Sequence, residues 1–142
     1  MRGPPGSYIL FLRLPYDKRI MIGRLGMVDF PTGTYAYVGS ALGGWETRVG
    51  RHFAGGAKAH WHIDYMRAEA QVIGAIVFES PERLECLINE AVAQASTTVS
   101  PGFGSSDCGC LTHLHLLREG VFSISQLPLH RASAPNLDGI ER

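Results

Sequence analysis

The stretch that follows Pro81 constrains the fold most. A helix opened by Pro81 and turning about 100° per residue brings Leu84, Leu87, Ile88, Ala91, Val92 and Ala95 onto one stripe. A helix of this length is marginal in water alone, so its dry face must lie on another layer. The chain before it supplies strands. Tyr8 to Leu12 is an apolar run opened by Gly6, and Tyr16-Asp17-Lys18 makes a turn. Arg19 to Gly23 reads as a second strand, Phe30-Pro31-Thr32-Gly33 as another turn, and Thr34 to Val38, β-branched and aromatic, as a third strand. Short strands joined by tight turns predict an antiparallel meander beneath the helix.

Between these parts the period changes. Leu42, Trp45, Val49 and Phe53 recur at helical spacing until Gly55-Gly56 stops the run, and His60 to Ala70 reads as a short second helix. Val72 to Phe78 is a fourth strand, and Pro101 to Cys110, with three glycines, a loop. Leu111 to Leu117 and Val121 to Leu127 flank Glu119-Gly120 and suggest a hairpin, with a helix left open for the first half. After Pro128 the chain becomes a polar, loose tail. The expectation is an α+β domain: a three- to four-stranded antiparallel sheet, about three helices and a C-terminal hairpin extension. One domain would span residues 1–127, with 128–142 as tail; a length of 142 residues suits that.

Composition narrows the class. Hydrophobic residues at 45% and charged residues at 18% exclude a disordered chain. No apolar run approaches the roughly 20 residues that span a bilayer, so no membrane partner is expected. Met1 to Ser7 holds Gly and Pro where a signal peptide would be charged and then apolar. Three cysteines do not read as a disulfide framework, which favours a reducing cytoplasm. The balance of 13 basic and 13 acidic residues argues against binding a polyanion by charge alone. Locally, though, Arg48, Arg51, Lys58 and Arg67 with His52, His60 and His62 face a single acid, Asp64, which allows a modest basic patch.

Several side chains could carry chemistry. Glu85 falls at the edge of its helix's apolar stripe, whereas Glu82 and Glu90 point toward water. A half-desolvated carboxylate there could ligate a hard cation, or be a solvated surface group. Arg48 could neutralise a phosphate, or lie along Trp45; His52 is one turn further on. His60, His62 and Asp64 read either as phosphate contacts or as the start of a helix with a core Trp61. Cys108, Cys110 and His113, with Cys86 or His115 in reach, are candidate zinc ligands, the alternative being free structural thiols.

Read in order, these pieces form a longer pattern. Gly6-Ser7-Tyr8 opens the first strand, Tyr37-Val38-Gly39 closes the third, Arg48 lies on the next helix, and Glu85-Cys86-Leu87-Ile88-Asn89-Glu90 lies on a later one. This resembles the GIY-YIG nuclease domain of the bacterial nucleotide-excision-repair incision enzyme and of certain homing endonucleases. Gly39-Ser40-Ala41, Arg51-His52, His60-Trp61-His62-Ile63-Asp64-Tyr65 and Gly102-Phe103-Gly104-Ser105-Ser106-Asp107-Cys108-x-Cys110 look like a branch of that superfamily that occurs alone or fused to DNA glycosylases. The resemblance covers about residues 6 to 117.

It implies a DNA endonuclease that depends on Mg²⁺ or Mn²⁺. Glu85 would be the metal ligand, Arg48 the phosphate-binding arginine, and Tyr37 the general base, with Tyr8 and His52 beside them. Ser40, Arg51, Lys58, His60 and His62 would touch substrate. DNA is the expected partner, with a DNA glycosylase or another repair protein as a second. The chemistry suits these residue types: phosphodiester hydrolysis needs an activated water and positive charge around the phosphate and the leaving oxygen. A phenol is a poor base near neutral pH, so Tyr37 would need nearby cations to lower its pKa. Two other functions compete: a nucleic-acid-binding module of the same fold that does not cut, and an enzyme using the Cys108 thiol with His113.

Overall fold

A computed structural model describes residues 3–55, 58–105 and 108–118. Two long strands form the centre: β1, Gly6–Leu14, and β4, Gly33–Ala41, paired antiparallel from Gly6↔Ala41 to Leu14↔Gly33. The excursion between them holds β2, Lys18–Met21, a 3-10 turn at Gly23–Leu25, and β3, Met27–Phe30. Then follow helix α1, Trp45–Ala54, helix α2, His62–Glu69, strand β5, Gln71–Glu79, helix α3, Glu85–Ala93, and strands β6, Ser96–Thr98, and β7, Leu114–Leu117. The main sheet has five strands in the order β5-β1-β4-β7-β6, and each pair is antiparallel.

The period-two alternation of the strands divides the core between the sheet's two faces. Tyr8, Leu10, Leu12 and Leu14 of β1 join Tyr35 of β4 and Ala75 and Val77 of β5 in one cluster, sealed by Val49 of α1, Ile63 and Met66 of α2, and Phe103. Ile9, Ala36, Val38 and Phe78 face the other way and meet Leu84, Ile88 and Val92 of α3. Leu84, Ile88, Val92 and Ala95 of the predicted stripe are buried and Leu87 is 50% exposed, but Pro81 does not open the helix: Pro81 and Glu82 form a bend and α3 begins at Glu85. Leu42, the first member of the other helical stripe, is also exposed, because Ala41, Leu42 and Gly43 still belong to the strand end and turn before α1.

Other expectations need correction. The strand around Arg19 is not in the main sheet: β4 and β5 occupy both edges of β1, and β2 pairs with β3 as a separate ribbon, carrying an Arg19–Asp29 ion pair. The sheet has five strands instead of three or four because β7, expected in a hairpin extension, joins it, and Ser96–Thr98, short and polar, adds a strand that gives no apolar signal. β7 lies between β4 and β6, so Leu114–Leu117 is stranded but its neighbours are Tyr35–Tyr37 and Ser96–Thr98. The other half of the expected hairpin, residues 121–127, and the tail, 128–142, lie outside the described residues. Finally, α2 starts at His62, not His60. Asp64 accepts the backbone N–H of His60 and of Trp61 at 2.8 and 2.9 Å, capping the helix one turn in.

Candidate functional site

A cleft of about 330 Å³ opens beside the point where β1 begins and β4 ends. Side chains far apart in sequence meet in it: Tyr8 and Tyr37 from the sheet, Ser40 from the end of β4, Arg48 and His52 from α1, and Glu85 from the first turn of α3. The reason is topological. Tyr8 sits opposite Gly39 in the strand ladder, and Tyr37 opposite Leu10, so both phenols rise from the face that α1 covers. Gly39 is required by this packing. A Cβ there would lie 2.5 Å from the Tyr8 ring and hydroxyl.

Each charged group has a definite setting. Arg48 is partly buried, donates from Nη1 to the carbonyl of Ser40 at 3.1 Å, and stacks over the Trp61 ring with its guanidinium carbon 4.2 Å from the centroid. The Glu85 side chain is 18% exposed, and one oxygen lies 3.6 Å from Nδ1 of buried His113. Tyr8 and His52 are joined at 2.8 Å between the hydroxyl and Nε2, deep in the protein. Burial holds the His52 imidazole at a pKa of about 4, against an opposing pull from Asp64, so the ring is neutral near pH 7. Burial raises both phenols above the ordinary tyrosine value; Arg48 pulls each down, but by less. For Tyr37 the neighbouring Tyr8 and Glu85 add to the rise. In the protein alone, then, the pull of Arg48 does not bring the Tyr37 pKa down to its ordinary value.

The other sequence-derived residues divide. Arg51 makes a two-pronged ion pair with Asp64, at 2.9 and 3.0 Å, and also stacks on Trp61 at 4.5 Å. Burial alone would raise the Asp64 carboxyl, but hydrogen bonds from Arg51, Trp61 and His60 outweigh it and hold the pKa below the usual carboxylate value. His62 accepts the backbone N–H of Gly104 at 2.8 Å and packs on Phe103, so it braces the glycine-rich loop from behind the cleft. Lys58 and His60 are exposed and do not line the cleft. Sequence reasoning missed Arg83, which lines the cleft, and the use of Trp61 as a platform for two arginines. Arg83 sits between two helical stripes with no periodic signal, but Trp61 between two histidines and close to Arg48 and Arg51 was a readable hint.

Beside the cleft, Cys86 of α3 meets the glycine-rich loop. One ligand atom each from Cys86, Cys108, Cys110 and His113 lie within 4.8 Å of one another, a group that could hold a metal ion. The glycine-rich loop thus reaches the side of α3 from which Cys86 projects. A larger cavity, about 430 Å³, lies beyond it among Asn89, Thr98 and His115. It collects no cation, and its buried polar groups are already satisfied: Asn89 bonds both Thr112 and His115. The chemistry is concentrated in the smaller cleft.

Fold and site thus define a small α+β domain with a conjunction of arginine, carboxylate and two phenols in one cleft. Residues 7–130 match a family model described as the domain of unknown function DUF123, and the chain belongs to that family. No curated protein matches the chain, and no solved structure does. Among the described residues no helix is long and apolar enough to cross a membrane.

Proposed function

We propose that this domain is a divalent-metal-dependent endonuclease that hydrolyses DNA phosphodiester bonds in repair or processing. The observation that carries the reading is the meeting of Tyr8, Tyr37, Arg48 and Glu85 in one cleft, from four elements widely separated in sequence. The resemblance to GIY-YIG nucleases assigns the same four positions. The residues fit the metal: Glu85 offers a partly exposed carboxylate in a cleft otherwise lined by neutral and cationic groups, a setting for a hard cation with water in its remaining positions. Glu85 would hold Mg²⁺ or Mn²⁺, which supplies positive charge to the leaving oxygen when bound.

The remaining steps belong to the chain. Arg48, pinned to Ser40 and flattened on Trp61, presents its free N–H groups to the scissile phosphate. Arg83, exposed at the rim, adds a second positive charge toward the backbone. Tyr37 takes the proton of the attacking water. Because burial disfavours its phenolate, this role requires a rate that climbs on the alkaline side.

One reading competes. The raised phenols, which make a poor base, favour a module that grips nucleic acid without cutting. Incubating the purified chain with branched, nicked and damaged duplexes in Mn²⁺, with and without EDTA, separates the two. Cleavage abolished by the chelator supports the nuclease. Retarded migration of DNA with no cleavage at any pH from 7 to 10 replaces it with the binding module.

A further inference from the structure

We propose that Cys86, Cys108, Cys110 and His113 form a closed, four-ligand zinc site that fastens the glycine-rich loop to α3. The four ligand atoms already lie within 4.8 Å of one another. A tetrahedral zinc with Zn–S near 2.3 Å places its ligands about 3.8 Å apart, so a small contraction completes the shell. Three thiols and an imidazole suit a borderline-soft metal and not Mg²⁺ or Ca²⁺.

His113 is set up for the task by its surroundings. Its Nδ1 lies 3.0 Å from the carbonyl of Val38, an acceptor only, so Nδ1 carries the proton and Nε2 the lone pair. Nε2 is 3.1 Å from the Cys108 sulfur. The backbone holds the residue on both sides, with His113 N–H donating to Phe103 at 2.8 Å and Val38 N–H donating to His113 at 2.9 Å. Four protein ligands leave no open position, which marks a structural site and not a catalytic one.

The consequence reaches the cleft. Gly104 and Cys108 line it, and Glu85 is adjacent to Cys86 and 3.6 Å from His113. The loop crosses this wall with two glycines at positive φ, Gly102 at 85° and Gly104 at 67°, backbone that few other residues adopt. Zinc would hold it there and keep Glu85 aimed inward. This last step rests on the nuclease reading; the metal site itself does not.

The full chain, purified without chelator, should carry about one zinc by plasma mass spectrometry. Replacing zinc with Co²⁺ should give the intense near-ultraviolet band of cobalt–thiolate bonds and the visible bands of a tetrahedral centre. Cys86→Ser, at an exposed position that leaves three ligands, should weaken zinc by roughly tenfold or more without unfolding the domain. Zinc-stripped wild-type chain should melt lower and recover on adding zinc back, which covers the case in which Cys86→Ser fails to fold. A chain that holds no zinc after supplementation, or whose cobalt form lacks the thiolate band, or whose cysteines are joined as a disulfide, overturns the proposal. Zinc present without DNA cleavage would leave the site standing and remove only the nuclease. Manganese-dependent cleavage by a chain with no zinc would do the reverse.

Discussion

The hydroxyl of Tyr8 and Nε2 of His52 stand 2.8 Å apart, both buried, and so join the first strand of the sheet to the helix that carries Arg48. The pair has a consequence for stability against pH. His52 titrates near 4 in the folded chain because burial disfavours its cation, and His115 is likewise pushed to about 4 by burial with His113 nearby. Unfolded histidines titrate near 6.5. Between these values the unfolded chain binds more protons, so stability falls as pH drops from about 6.5 toward 4. Each histidine contributes about 1.4 kcal/mol per pH unit within that window. Urea midpoints at pH 7, 6 and 5 check this. His52→Asn and His115→Asn should each flatten the dependence, and a midpoint unchanged from pH 7 to 5 would contradict the buried neutral state.

Gly39→Ala tests the packing that seats the first phenol. The new methyl would lie 2.5 Å from the Tyr8 ring carbon and hydroxyl, in a ladder where neither strand can move without breaking its neighbours. Overpacking of this kind costs about 1–3 kcal/mol. Denaturant unfolding should show the loss, and ring-proton shifts of Tyr8 and His52 should move together. Gly50→Ala gives the control, since nothing lies within 4 Å of a methyl there.

Asp64 should matter for folding more than for substrate. It caps α2 through His60 and Trp61 and also holds Arg51, so Asp64→Ala strands two backbone donors and a guanidinium. Losing a helix cap of this kind costs about 0.5–2 kcal/mol. Thermal melting should therefore fall clearly in Asp64→Ala and less in Arg51→Met, which keeps the caps and much of the contact with Trp61. An Arg51→Met protein that folds as well as the parent but no longer binds DNA would return Arg51 to the substrate.

Much of this was legible in the sequence, for physical reasons that can be named. Leu84, Ile88 and Val92 lie on one helical stripe, and Tyr8 to Leu12 is an unbroken apolar run, so a helix packed on a buried strand was readable; that Ile9 faces one cluster and Tyr8, Leu10 and Leu12 the other is seen only in the structure. Glu85 and Arg48 were picked out from the residues themselves and Tyr37 through the resemblance, and all three line one cleft. What pattern could not reach was partnership. Arg19 reads as a strand residue, but which strand it pairs with depends on β5 having taken the free edge of β1, a contact between residues some seventy positions apart. Ser96–Thr98 forms a strand because β7 offers an edge, not because its own residues are apolar. Arg51 and Arg48 look alike in sequence. Only the position of Asp64 shows that the first is paired and the second is available.

Glu85, Arg48 and Trp45 are best varied side by side, because the pattern across them separates roles that any one variant would confuse. Glu85→Gln keeps the size of the side chain and removes the charge that would hold a divalent cation. Cutting should fall steeply while DNA binding, folding and zinc content persist. Arg48→Ala removes a phosphate contact and a preorganised charge, worth roughly 10²–10³ in rate, and some binding should go with it. Arg48→Lys should not rescue it, since an ammonium cannot stack flat on Trp61 and bond Ser40 while still presenting a fork to phosphate. Trp45 packs half-buried against the start of β1, where a Cβ on Gly6 would lie 3.2 Å from its ring. Trp45→Ala should cost about 3–5 kcal/mol through the cavity it leaves and depress every activity alike. Single-turnover cleavage in Mg²⁺ and in Mn²⁺, read beside binding and melting for each variant, gives the comparison. A Glu85→Gln protein that folds, binds and cuts at the parent rate in both metals would leave the proposed cation without its ligand.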